Sequence, residues 1–349
     1  MRFKASIQNI TTFTKFTASL ASLGPVAWVR LNEDEARFTI IPEQGTQVWA
    51  VLSKDTIFEP GQYSIQSAAD NVINLEVPLL PLQRALKSAL SATSASIRLT
   101  KKDNMPLLSL TIVTNPLGSS SNTSIAGAAN DSYGFSEGQS SFEIQGHERE
   151  TIVTQDIPVR VLAASNVEGI HEPRCREPDV HIMLPPLMQL KSISDRFTKL
   201  AMTARTSGAG GISGSTSVGP RLELAANMHG CLKISLRTDA MNISSVWTGL
   251  SNPELDPSQV EGGEEGIVNH PSTRMKELGS ADGRSEEGWA TVRIDGRDWG
   301  KVMSVGRLGG RVIACFCDEH ALILYVYLPN DEDGRDDSVL TYYVSSYSA

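Results

Sequence analysis

Residues 1–31 read MRFKASIQNITTFTKFTASLASLGPVAWVRL, and three patterns follow one another within them. Residues 1–7 alternate apolar and polar side chains, the period of a half-buried strand. Residues 9–23 place Phe13, Phe16, Leu20 and Leu23 at i, i+3, i+7 and i+10, an apolar stripe down one side of a helix. Residues 26–31, after Gly24-Pro25, are rich in apolar and β-branched side chains, the composition of a second strand. The order strand, helix, strand, with one stripe on the helix, predicts a helix laid across a sheet.

Working outward, the same grammar recurs. Helices are predicted at about 79–91 (Leu82, Ala85, Leu86, Ala89, Leu90), 186–201 (Leu190, Ile193, Phe197, Leu200, the spacing of the first) and 296–307 (Trp299, Val302, Met303, Gly306). Strands are predicted at about 26–31, 36–41, 47–53, 63–67, 72–77, 95–101, 107–114 and 151–162. In the second half they fall at about 179–184, 221–227, 231–237, 241–249, 289–295, 311–317, 320–328 and 340–347. Each half thus reads as two βαβββ-like units, and the fold class is α+β with two similar domains. The expected boundaries are 1–161 for the first, 162–179 for a connector carrying Pro173 and Pro178, and 180–349 for the second. Residues 116–150, 205–220 and 251–287 have Gly/Ser-rich or acidic composition without periodicity. They are expected to be mobile insertions lying away from the helices.

The chain has 349 residues and a net charge of −9, which at first argues against a polyanionic partner. The distribution reverses that argument. Residues 251–287 hold nine acids against three bases and residues 330–337 five against one, so everything else carries +1. The bases sit on the polar faces of the predicted helices: Lys15; Arg84 and Lys87; Lys191, Arg196 and Lys199; Arg297, Lys301 and Arg307. Lys15 lies about 200° round the helix from Phe13 at 100° per residue. A basic stripe without interleaved aromatics suits phosphate contact without base reading.

Other chemistry finds little support. The four cysteines form no paired CxxC units and indicate a reducing compartment. Cys315, Cys317, Asp318, Glu319 and His320, with His229 and Cys231, lack the spacing of a zinc site. Gly208 to Gly214 fails the GxGxxG frame at Ser213, and no P-loop lysine follows. No constellation names a reaction, so no enzyme, cofactor or metal is expected. No apolar run approaches the ~20 residues that span a bilayer, so no membrane partner is expected.

Local sequence carries a family resemblance. Met1-Arg2-Phe3-Lys4-Ala5 resembles the start of the Hus-one family of checkpoint clamp subunits. Arg84-Ala85-Leu86-Lys87, after Leu75-Glu76-Val77, is similar to that family's second helix. Thr154-Gln155-Asp156-Ile157-Pro158-Val159, Glu177-Pro178-Asp179-Val180 and Leu184-Pro185 resemble its strand, connector and start of the second domain. The resemblance implies the sliding-clamp fold of proliferating cell nuclear antigen, with antiparallel sheets outside and four helices on the inner face. It implies a non-enzymatic nuclear heterotrimer with Rad-nine and Rad-one type subunits. A clamp loader would place the ring around double-stranded DNA, where it would recruit checkpoint and repair factors. Lys15, Arg84, Lys87, Lys191, Lys199 and Lys301 would then line the hole as phosphate contacts. The alternatives are a replicative homotrimeric clamp or a metal-dependent hydrolase or nuclease.

Overall fold

The computed structural model describes residues 1–43, 45–114, 150–207, 220–238, 241–258, 260–280, 285, 287–329 and 338–347. The expected insertion at 116–150 (all but its last residue), most of that at 205–220 and the glycine run at 208–214 lie outside these residues.

The first half runs β1 (Arg2–Ile7), α1 (Ile10–Ala21), β2 (Val26–Leu31), β3 (Glu35–Ile40), β4 (Gln47–Ser53), the single turn α2 (Lys54–Ile57), β5 (Phe58–Gln66) and β6 (Ile73–Pro78). It continues with α3 (Leu79–Ser88), β7 (Ser94–Lys102), β8 (Met105–Thr114), β9 (Thr151–Pro158) and β10 (Arg160–Val161). After a short α4 (Ala164–Val167) the second half runs β11 (Val180–Met183), α5 (Leu187–Ser207), β12 (Arg221–Asn227), β13 (Leu232–Arg237) and β14 (Asn242–Trp247). Then come α6 (Gly263–Asn269), α7 (Pro271–Leu278), β15 (Trp289–Asp295), α8 (Gly296–Val302) with a 3-10 turn (Met303–Leu308), β16 (Val312–Cys317), β17 (Ala321–Tyr327) and β18 (Val339–Ser345).

Alternation decides which face each strand buries. Ala27, Val29 and Leu31 of β2, Ala36, Phe38 and Ile40 of β3, and Val48, Ala50 and Leu52 of β4 all point into one core. Against it α1 lays Phe13, Phe16 and Leu20, and Phe16 meets Phe38 edge-to-face with ring centroids 5.0 Å apart. Asn9 caps α1 by accepting the Thr12 amide at 3.0 Å, and Asp295 caps α8 through the amides of Arg297 and Asp298.

Three sheets result. One is β5-β1-β7-β8-β9, one is β14-β13-β12-β15, and one of nine strands runs β10-β6-β2-β3-β4-β18-β17-β16-β11. The nine-stranded sheet joins the halves through antiparallel pairing of β4 with β18, Val51 opposite Val339 and Gln47 opposite Tyr343. The helices join them a second time. α1 packs on α3, and the 3-10 turn after α8 packs on both α1 and α5. At that seam Ser22 Oγ lies 3.1 Å from Ser304 Oγ and 3.3 Å from the Lys301 carbonyl oxygen. The four predicted helices therefore make one continuous layer on the sheets.

One expectation is corrected. Residues 251–287 are not a structureless loop: their described part forms α6 and α7, with His270 and Ser272 buried and α7 packed on β11. Met183 N–H donates to Ser251 O at 2.8 Å and Asn252 Nδ2 to His181 O at 2.7 Å, so residues 251–252 close the edge of β11. Overall acidity masked a short helical signal, with Pro271 at the first helical position and Ile267, His270 and Met275 turned inward. The acids Glu261, Glu264 and Glu265 remain on the outside.

Candidate nucleic-acid interface

The surface of the helix layer that faces away from the sheets carries the predicted bases. Lys15 is exposed on α1, opposite the buried side of that helix. Arg84 and Lys87 are exposed on α3, between the buried Leu82, Ala85 and Leu86. Lys199 is exposed on α5, next to the buried Thr198. Neither α1 nor α3 contains an acidic residue, and Asp195 is the one acid of α5. Among the described residues no carboxylate forms an ion pair with Lys15, Arg84, Lys87 or Lys199.

Lys191 and Lys301 are held differently. Lys191 is half-buried, with Nζ 3.1 Å from Asp195 Oδ2 and 3.1 Å from the Gly300 carbonyl oxygen, so it ties α5 to α8. Lys301 Nζ donates to Asp298 Oδ1 at 2.9 Å. Both partners were visible in the sequence, at i+4 and i−3, the spacings at which helical side chains meet. The six candidates thus separate into four cations free for an outside anion and two compensated within the chain.

The cysteines and their polar neighbours have structural partners. Cys315 and Cys317 are buried in β16, where burial pushes their thiols up to about 12 and about 11. Asp318 Oδ1 accepts the Thr291 amide at 2.7 Å. Cys231 Sγ is directed at the His229 carbonyl oxygen. Among the described residues no group of three His, Cys, Asp or Glu could hold a metal ion.

Two sheet edges and a cavity complete the surface. β9 ends the five-stranded sheet with Ile152 64% and Val153 42% exposed, and β14 ends the four-stranded sheet with Val246 53% exposed. On the outer face of the nine-stranded sheet the 162–172 stretch covers a cavity of about 120 Å³, lined by Trp28, Trp49, Leu162, Val167 and Ile170 among others.

The profile of the family described as Hus1-like protein matches residues 1–348. The chain belongs to the Hus1-like family. Within it, the chain is 39% identical over 348 residues to checkpoint protein hus1 of Schizosaccharomyces pombe, covering 99% of each. It is 25% identical over 261 residues to checkpoint protein HUS1 of Homo sapiens, covering 73% of this chain and 76% of the human one. The proliferating cell nuclear antigen of Thermococcus kodakaraensis shares the fold at a TM-score of 0.59 and 14% identity, over 99% of this chain and 100% of that one. Hus1-like membership and the clamp fold make the chain a DNA-damage checkpoint clamp subunit, and neither alternative reading is favoured.

Proposed function

We propose that this chain is one of three different subunits of a ring that closes around double-stranded DNA in the nucleus. Its companions would be Rad-nine and Rad-one type subunits, and a clamp loader would open and place the ring. The two domains would be 1–161 and 180–349, joined by the connector 162–179.

The observation that carries this reading is the division of the surface. The four candidate cations that form no ion pair among the described residues lie on the helix layer, while β9 and β14 end two different sheets, one in each half, with apolar side chains exposed. Unpaired backbone donors and acceptors on a strand favour pairing with another chain. Two such edges let a subunit be joined on both sides, as closure of a ring requires. The cations then face the hole. Phosphate contact by Lys15, Arg84, Lys87 and Lys199 would be loose and independent of sequence, which permits sliding. Lys191 and Lys301 would contribute to the wall mainly by fixing α5 and α8. The ring acts as a platform rather than an enzyme, and checkpoint and repair factors would dock on its outer face, where the cavity under residues 162–172 offers a recess walled by Trp28 and Trp49 and by the charged Arg30, Arg37 and Glu172.

Mass measurement in solution tests the assembly. The chain expressed alone should be monomeric or poorly soluble. Co-expressed with the two companion subunits it should give one complex with each chain present once. A stable symmetric trimer of this chain alone would contradict the mixed ring and favour a replicative type of clamp.

A further inference from the structure

Residues 251–253, rather than a strand, close the outer edge of β11, and α7 packs beside them. Two imidazoles are buried at this junction. His181 of β11 is 5% exposed and His270, at the start of α7, 4% exposed. Their rings meet edge-to-face, with centroids 6.4 Å apart.

Hydrogen bonding fixes the state of each ring. A carbonyl oxygen only accepts, so His181 Nε2, 2.8 Å from Pro253 O, carries the proton of the neutral ring. His181 Nδ1 is then bare, and it is buried without a partner among the described residues. His270 Nδ1 accepts the Ser272 amide at 3.2 Å as the cap of α7, so it is bare as well, with Ser272 Oγ at 2.8 Å. A second proton fits neither ring. On His181 it would lack an acceptor in a buried site; on His270 it would remove the helix cap.

We propose that His181, packed against His270, forms a pH-sensitive latch, which holds α7 and residues 251–253 on β11 while its ring is neutral and releases them when it is protonated. The other titratable groups around His181 do not oppose this. Cys315 stands across from it on β16 and remains a neutral thiol. Glu254 and Lys276 line the same cavity of about 300 Å³, are exposed, and have opposite signs. Asp179, just before β11, is paired with Arg176 at 2.8 Å.

Burial is the main cause holding His181 below the ordinary imidazole value of 6.5; His270 adds to the effect and the Pro253 hydrogen bond opposes it. The released ring therefore takes up a proton at higher pH than the docked one. Docking is at full strength above that ordinary value and weakens as pH falls through it towards the docked value. Release would bare the β11 edge, whose free amides and carbonyls invite pairing with another strand.

Hydrogen exchange of the full chain, corrected for the intrinsic effect of pH, tests the latch. From about pH 7.5 to about pH 5.5 the amides of Met183 and α7 should lose protection several-fold, while the β12–β13 pair holds. The double variant His181→Gln, His270→Asn keeps a donor for Pro253 and a cap for α7 but cannot titrate, and should show no such loss. Equal loss in wild type and variant, or none in wild type, would overturn the latch. Should the variant not fold, titration of the two wild-type rings by NMR decides the matter: His181 protonating at or above 6.5 contradicts the proposal, and protonation below it supports the proposal.

Discussion

Replacing Lys15, Arg84, Lys87 and Lys199 together by glutamate should sharply weaken the hold of the assembled ring on linear DNA at low salt, and should leave the chain folded. All four side chains are exposed on polar helix faces, and none takes part in an ion pair among the described residues. The substitution reverses the sign of the field along the layer without opening the core. Each lost phosphate contact should reduce the slope of log affinity against log salt by about 0.9, so four contacts by about 3.6. The difference from wild type should shrink as salt rises and should not depend on base sequence. Lys191 belongs outside this set, although the sequence placed it there, because its charge already serves Asp195 and Gly300 O. Lys191→Gln should leave the salt slope unchanged. Equal retention by wild type and the fourfold variant, with assembly verified, would mean that the bases form only a solvated face.

Trp299→Ala should destabilise the chain by about 3–5 kcal/mol, the range for truncating a large buried aromatic side chain. Trp299 is 1% exposed, and its Nε1 donates to Ser194 Oγ at 3.0 Å, so it pins α8 to α5. Set against a typical total of about 5–15 kcal/mol, the loss is a large fraction of the stability of the second half. Trp299→Phe should cost less, since most of the volume stays and Ser194 Oγ still donates to Leu190 O at 2.8 Å. The denaturant midpoint reads both changes. A shift below about 1 kcal/mol for the alanine variant would show that the seam between α5 and α8 can collapse around the gap.

Much of this fold can be read from the chain because its elements are strongly periodic. The stripes of Phe13, Phe16 and Leu20 and of Leu82, Ala85 and Leu86 name the helices and the faces they bury, and every predicted strand forms. Strand partnership cannot be read in the same way. Period two assigns Val48, Ala50 and Leu52 to one face, but nothing local reveals that β4 pairs with β18, almost three hundred residues later. Residues 251–287 were misread for a different reason. Their composition is that of a solvated acidic loop, whereas their order depends on a few contacts, among them Asn252 on β11 and His270 at the head of α7. Charge placement was readable to the level of the helix face. Which bases remain available depends on neighbours at i+3 and i+4 and on the packing of α8 against α5, and only the first of these is written in the sequence.

Retention of the assembled and loaded ring on circular DNA, before and after a single cut, tests the central claim most directly. A closed ring holds a circle by linkage rather than by affinity. The account predicts that the ring stays on the circle at a salt concentration that removes ordinary phosphate-bound proteins, and that it slides off once the circle is cut. Release from the uncut circle at that salt, or retention unchanged by the cut, would contradict it.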